Sequence, residues 1–298
     1  MTNSIKLLSL FLLSGLFFSA CTDDETDDVD NSGNTSTLNL TFTGLEDLGN
    51  DAAYEGWIIV DGSAVSTGTF DVNSAGMMSQ SAFEIKTSDL TSASTFILTI
   101  EPKPDSDPTP SKVHIVAGDF SGNAASLTID HSAALKNSFS TAAGKYILAT
   151  PTDDDTTNEA SGIWFLDNSS GAPAVGLTLP TLPDGWIYEG WAVIGGVPVS
   201  SGTFTAADMA DNSATYSGMN SGPPFPGEDF LMNAPGMLSF PTDLKGGKAV
   251  ISIEPVPDNS MLPFSLKPLV GDISVMAADH TAYDMGQNLA FPTGQATR

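Results

Sequence analysis

Two tandem antiparallel β-sandwich modules are what this sequence predicts, and three observations predict them. Thr, Ser, Gly, Pro and Asp are plentiful while strongly helical runs are scarce. Short stretches rich in β-branched and aromatic residues recur between Gly and Pro punctuation, the pattern of strands and turns. Several of these stretches appear twice, in the same order, along a chain of 298 residues. That length suffices for two domains, each burying a core of its own.

The N-terminal segment is a targeting signal and stands apart from the fold. Lys6 supplies a short positive region, and residues 7–18 form an apolar run too short to span a bilayer comfortably. The tetrapeptide Phe18-Ser19-Ala20-Cys21 resembles a bacterial lipobox, in which cleavage precedes a cysteine that becomes the lipidated N-terminus. Phe18 departs from the usual Leu. Cys21 is the sole cysteine, so no internal disulfide can form, and lipidation is the expected role. Residues 1–20 are therefore read as a lipoprotein signal peptide. Residues 21–36, acidic, polar and without aromatics, are read as a disordered tether that cannot bury enough apolar surface to fold. Acidic residues directly behind a lipidated cysteine also resemble the surface-export signal of Bacteroidetes lipoproteins. The expected location is thus the outer membrane, lipid-anchored and open to display at the cell surface.

The first module is expected over 37–167 and the second over 168–298. The clearest repeat is YEGWIIVDGSAVSTGTF at 54–70 against YEGWAVIGGVPVSSGTF at 188–204. Residues 53–60 and 63–70 read as strands joined by Asp61-Gly62, a pair whose left-handed dihedrals suit a type I′ hairpin. Gly195-Gly196 meets the same backbone demand in the second copy. Gly68 and Gly202 fall at one position inside the second strand and predict a bulge or a close backbone approach. Trp57 and Trp191 are expected in the core, with Glu55 and Glu189 on the same strand face near a sheet edge. Upstream, the alternating LNLTFT at 38–43 is answered by VGLTLP at 175–180. Downstream, FILTIEPKPD at 96–105 matches AVISIEPVPD at 249–258, each strand ending at Glu-Pro. Three further blocks follow in order: VAGD at 116–119 with LVGD at 269–272, Asp130-His131 with Asp279-His280, and LATPT at 148–152 with LAFPT at 289–293. Each unit would carry about seven short strands, as a small Ig-like sandwich needs.

The Tyr-Glu-Gly-Trp strand, the Gly-x-x-Val-Ser-x-Gly-Thr-Phe hairpin and the Ile-Glu-Pro strand together resemble the extracytoplasmic C-terminal domain of anti-sigma-K factors. The resemblance covers most of both modules and implies an outer domain. In the full regulators this domain follows a transmembrane helix and a cytoplasmic sigma-binding domain. Here the sole long apolar run is the signal, and no His/Cys zinc-type motif occurs, so sigma binding is not expected.

Two features break the repeat. Residues 217–247 hold an insertion rich in Pro, Gly, Phe and Met, read as one or more long loops. Long loops on a rigid scaffold often carry recognition, which makes Phe225, Phe230 and Met232 the candidate partner contacts, with packing into the sandwich end as the competing reading. The second feature is GIWFLD at 162–167, assigned to the first module behind an acidic hairpin loop at 153–159.

Chemistry is sparse. His114, His131 and His280 are the three histidines, and neither a metalloprotease helix, a nucleophile elbow nor a phosphate-binding glycine loop is present. The Asp-His pairs are expected to hydrogen-bond strand ends, because sequence neighbours on a strand point to opposite faces. The acidic loops lack a full calcium-loop pattern. No enzyme activity, cofactor or metal is expected. Ten Lys and Arg against thirty-six Asp and Glu give a net charge of −26, which excludes nucleic acid as a natural partner. The expected function is non-enzymatic binding, sensing or envelope structure, with the membrane met through the lipid and an envelope protein as partner. The alternative is an accessory glycan binder stacking sugars on Trp57, Trp164, Trp186 and Trp191. Buried indoles would favour the first and an exposed coplanar row the second.

Overall fold

A computed structural model of the chain describes residues 34–258 and 260–298. The signal segment, Cys21 and the tether as far as residue 33 lie outside the described residues. In chain order the strands are β1 (Thr35–Thr43), β2 (Ala52–Val60), β3 (Ser63–Phe70), β4 (Ala82–Lys86), β5 (Thr95–Pro102), β6 (His114–Asp119), β7 (Ala124–Leu127) and β8 (Ala143–Leu148). They continue as β9 (Gly162–Trp164), β10 (Leu166–Asp167), β11 (Ala174–Val175), β12 (Leu177–Thr178), β13 (Trp186–Ile194) and β14 (Val197–Phe204). The last are β15 (Gly227–Asp229), β16 (Lys248–Pro255), β17 (Leu269–Asp272), β18 (Tyr283–Gln287) and β19 (Thr293–Thr297). Among the described residues the protein is nearly all β, with antiparallel sheets and one short α-helix, α1 (Thr87–Ser92), which the sequence pattern does not announce. The first strand begins at Thr35, so the expected tether ends two residues too late.

The hairpins form as their turn residues require. Asp61 and Gly62 have φ of 50° and 80°, and Gly195 and Gly196 have φ of 58° and 89°, the left-handed pair that lets strands twist back tightly. The bulge is present in both hairpins. Gly56 pairs with Gly68 and Trp57 with Ser66, leaving Thr67 extra; Gly190 pairs with Gly202 and Trp191 with Ser200, leaving Ser201 extra. Gly68 and Gly202 carry the positive φ that this kink demands, 108° and 125°. Ladder formation stops at Pro102 and Pro255, which lack the donor N–H.

One sheet runs β3-β2-β5-β6 and another β4-β1-β19-β7. The rings of Phe42, Tyr54, Phe70 and Phe83 pack across the space they enclose. A longer sheet runs β14-β13-β16-β17-β18-β8-β9-β15, with β12 joined to β8. Its first and last strands approach each other, and Asp211 Oδ2 accepts the Gly227 N–H at 2.8 Å beside them. Leu38, Tyr54, Ile58, Tyr146, Phe165, Tyr188 and Ile251 belong to a single continuous apolar cluster.

The ladders do not respect the division expected at 167/168. The C-terminal β19 inserts between β1 and β7, residues of the first half. Conversely β8 pairs with β12 and β18, and β9 with β15, so these first-half strands complete a sheet of the second half. Residues 162–167, assigned to the first module by sequence order, hydrogen-bond to second-half strands at β9 and β10. The physical cause is edge completion. A strand left at a sheet edge exposes unpaired N–H and C=O groups, and each half covers an edge of the other. Arg298 fixes the exchange: its guanidinium donates to Leu90 and Ala93 carbonyls at 2.6 and 2.7 Å and lies 4.3 Å from the Phe120 ring centroid.

This arrangement predicts that residues 34–167 and 168–298 will each fail to fold when produced alone. Mixing the two fragments is expected to restore a cooperative thermal transition by circular dichroism. Two fragments that each melt cooperatively at the parent temperature would contradict the exchange.

Candidate functional site

The turns after β5 and β16 open onto one cleft of about 540 Å³, lined by Glu46, Asp51, Glu101, Glu254, Asp258 and Phe264 among others. Proline ends both strands, so their last carboxylates face the cleft instead of continuing a ladder. The Tyr54 hydroxyl donates to the Glu46 carbonyl at 3.0 Å and accepts the Glu46 N–H at 3.2 Å, which holds the loop after β1 at the rim.

Behind this wall lie two matching relays. Trp57 Nε1 donates to Thr99 Oγ1 at 2.9 Å, and the Thr99 hydroxyl donates to Glu101. Trp191 Nε1 donates to Ser252 Oγ at 2.7 Å, and the Ser252 hydroxyl donates to Glu254. Backbone donors complete each carboxylate: Ser111 N–H to Glu101 and Phe264 N–H to Glu254, both at 2.9 Å. Buried polar groups tolerate loss of water only with such partners. Glu55 and Glu189 accept from Ser66 and Ser200 respectively. Both are buried in mid-sheet, correcting the expectation of a sheet edge, because β2 and β13 are each flanked by two strands.

Burial dominates the electrostatics. It pushes the Glu254 carboxyl up to about 7, with Asp258 and Glu46 adding to the rise against the hydrogen bonds from Ser252 and Phe264. Burial likewise raises Glu189 to about 8 and raises Glu101 and Glu46. It lowers Lys267, while Glu46 and Glu254 oppose that fall. The cleft is therefore an acidic concavity suited to a cation or to hydrogen-bond donors, and its lining holds neither His nor Cys.

The tryptophans are not at the surface. Trp57, Trp164, Trp186 and Trp191 are 2, 4, 5 and 2% exposed. Trp164 Nε1 donates to Asp229 at 2.8 Å and Trp186 Nε1 to the His114 carbonyl at 3.2 Å. They form no exposed stacking row.

Part of the insertion is internal packing. Phe230 is 0% exposed and stacks with Tyr216 and against Phe240; Phe225 packs with Ile147 and Trp164. Neither ring offers surface to a partner, because apolar side chains on this loop fill the end of the sheet. Met232, 41% exposed, does remain available. The loop also delivers β15, whose Glu228 and Asp229 are fully buried. Asp229 accepts from the Thr152 backbone N–H at 2.8 Å as well as from Trp164, and burial raises its carboxyl. No period in the sequence marks this strand. His131 and His280 hold turns: His131 Nδ1 accepts the Ala133 N–H at 3.1 Å, and His280 N–H donates to the Leu148 carbonyl at 2.8 Å.

Residues 29–113 match the family model described as anti-sigma-K factor rskA, C-terminal. The matched stretch holds the Tyr-Glu-Gly-Trp strand, the bulged hairpin and the Glu101-Pro102 strand end, so the similarity to the anti-sigma-K C-terminal domain falls on these elements. In comparisons with curated proteins and with solved structures, nothing matches. The matched stretch supplies Glu46, Asp51 and Glu101 to the cleft, and Glu254 and Asp258 come from beyond it.

Two outcomes follow for the insertion. Phe230→Ala should cost about 3–5 kcal/mol in denaturant unfolding, as large buried rings do, whereas Met232→Ala should stay within about 0.5 kcal/mol. Asp211 sets a pH dependence. Burial raises its carboxyl to about 7, and Glu228 adds to this against the Gly227 and Ser213 N–H donors. An unfolded Asp releases its proton near about 3.9. Between those values the folded chain binds more protons than the unfolded one, so stability falls as pH rises through the window. The unfolding temperature of Asp211→Asn should decline less steeply than the parent's between about pH 4 and 7, by scanning calorimetry.

Proposed function

We propose that the chain is a lipid-anchored protein of the bacterial cell envelope, acting without catalysis in binding, sensing or envelope structure. The observation that carries this reading is the match of residues 29–113 to the C-terminal domain of anti-sigma-K factors, placed behind an apolar signal and Cys21. The domain lacks, in this chain, the His/Cys sigma-binding motif of full regulators, so its role is that of the outer part: contact with a molecule of the envelope. Lipidation of Cys21 holds the protein at the outer membrane, since several acyl chains on one residue anchor stably where a single chain would not. The tether then gives the folded part reach from the bilayer.

Buried indoles speak for this reading over the glycan binder, because sugar stacking needs an aromatic face at the surface. The relays from Trp57 and Trp191 give those rings a structural task instead.

Cys21→Ala should abolish incorporation of radiolabelled palmitate and release the protein from the outer-membrane fraction, or leave it with its signal uncleaved. A variant that is labelled and fractionates like the parent would refute the anchor.

A further inference from the structure

We propose that Glu189, Glu254 and Asp258 form a binding site for a hard divalent cation of the calcium class. One carboxylate oxygen from each lies within 4.8 Å of the other two. Glu189 and Glu254 stand on the paired strands β13 and β16, with Glu189 opposite Ser252 and Glu254 opposite Ile187, so they are diagonal neighbours on one face. Asp258 reaches them from the turn beyond Pro257.

The second observation is an orphaned atom. Glu189 is 5% exposed; its Oε1 accepts from Ser200, while Oε2 is buried without a hydrogen-bond partner. A buried carboxylate oxygen without a donor is costly, and facing two more carboxylates makes it costlier. A cation placed among the three supplies the missing partner and reverses the sign of their mutual interaction.

The donor set selects the ion. All three ligands are carboxylates, and neither His nor Cys lines the adjoining cleft. Oxygen-only sites suit calcium or magnesium over zinc or copper. The Ser200 and Ser252 hydroxyls, and the Phe264 N–H, each hold a glutamate from behind and orient it, as outer partners of metal ligands do. Asp258 Oδ1 accepts the Ser260 N–H at 2.8 Å, which steadies the carboxylate on its turn. One ligand on a turn, and a wall of the cleft beside it for water ligands, give the variable geometry that calcium accepts and magnesium does not. Lys267 acts on Glu254 through space, and the two form no ion pair among the described residues.

The first half provides a control. Glu55, Glu101 and Asp105 occupy the matching sequence blocks, yet among the described residues they do not gather to the same distance.

The test uses the full chain in detergent, stripped with EDTA and titrated with calcium chloride at about 150 mM salt, where diffuse attraction is screened. Calorimetry should show one saturable site with a dissociation constant on the order of 10⁻⁴–10⁻³ M, the range of extracellular calcium modules, and calcium should raise the unfolding temperature. Glu189→Gln should weaken binding at least about tenfold, each factor of ten being one pKa-sized step in free energy, yet melt in EDTA at or above the parent temperature. Glu55→Gln should keep the parent's affinity. If Glu189→Gln fails to fold, Asp258→Asn gives the same comparison from the turn. Absence of a saturable site in the parent, or equal titrations for parent and Asp258→Asn, would overturn the proposal.

Discussion

Strand β19 lies between β1 and β7, held on both sides by backbone hydrogen bonds to residues that precede it by about half the chain or more. Most of the architecture depends on that insertion. Without it β1 keeps β4 alone as a neighbour, Leu40 loses its partner Ala296, and Arg298 leaves the carbonyls it caps. The reverse donation, β8 and β9 into the sheet that ends at β15, ties the second half to the first by the same means. Because each half completes the other's sheet, the apolar cluster is continuous and stability is shared across it.

The cleft is a product of this coupling. Its walls come from the loop after β1 and the end of β5 on one side and from the end of β16 on the other. These segments are far apart in sequence and meet because the halves interlock. The relays from Trp57 and Trp191 then explain why glutamates can be buried there: an indole N–H fixes a hydroxyl, and the hydroxyl's own proton is left to point at the carboxylate. The relays and the backbone donors of Ser111 and Phe264 hold both carboxylates in place before any ligand arrives.

Local features were legible because local chemistry decides them. Asp61-Gly62 and Gly195-Gly196 define their turns, Gly68 and Gly202 their bulges, and Pro102 and Pro255 their strand ends, with no help from distant residues. Strand exchange was not legible. Pairing depends on which edge lies open in three dimensions, and nothing in a strand's own pattern names its neighbour. The burial of Glu55 and Glu189 was missed for a related reason. Glutamate is mostly exposed, and the serines that donate to these two stand on the adjacent strand, eleven positions away.

The insertion and the repeated positions also exchange the meanings their sequences suggested. A segment present in one half alone invites a functional reading, yet Phe230, Glu228 and Asp229 lie fully buried and extend a sheet at β9. The repeated Tyr-Glu-Gly-Trp stretch invites a purely structural reading, because both halves need it. Its two glutamates nevertheless differ in what surrounds them. Glu189 keeps a buried oxygen without a donor and faces Glu254 and Asp258, whereas Glu55 has no such orphaned atom among the described residues. A repeated residue is thus held in place by what the two sheets share, the bulge and the serine. Its chemistry is set by what they do not share, the turn that brings a third carboxylate within reach.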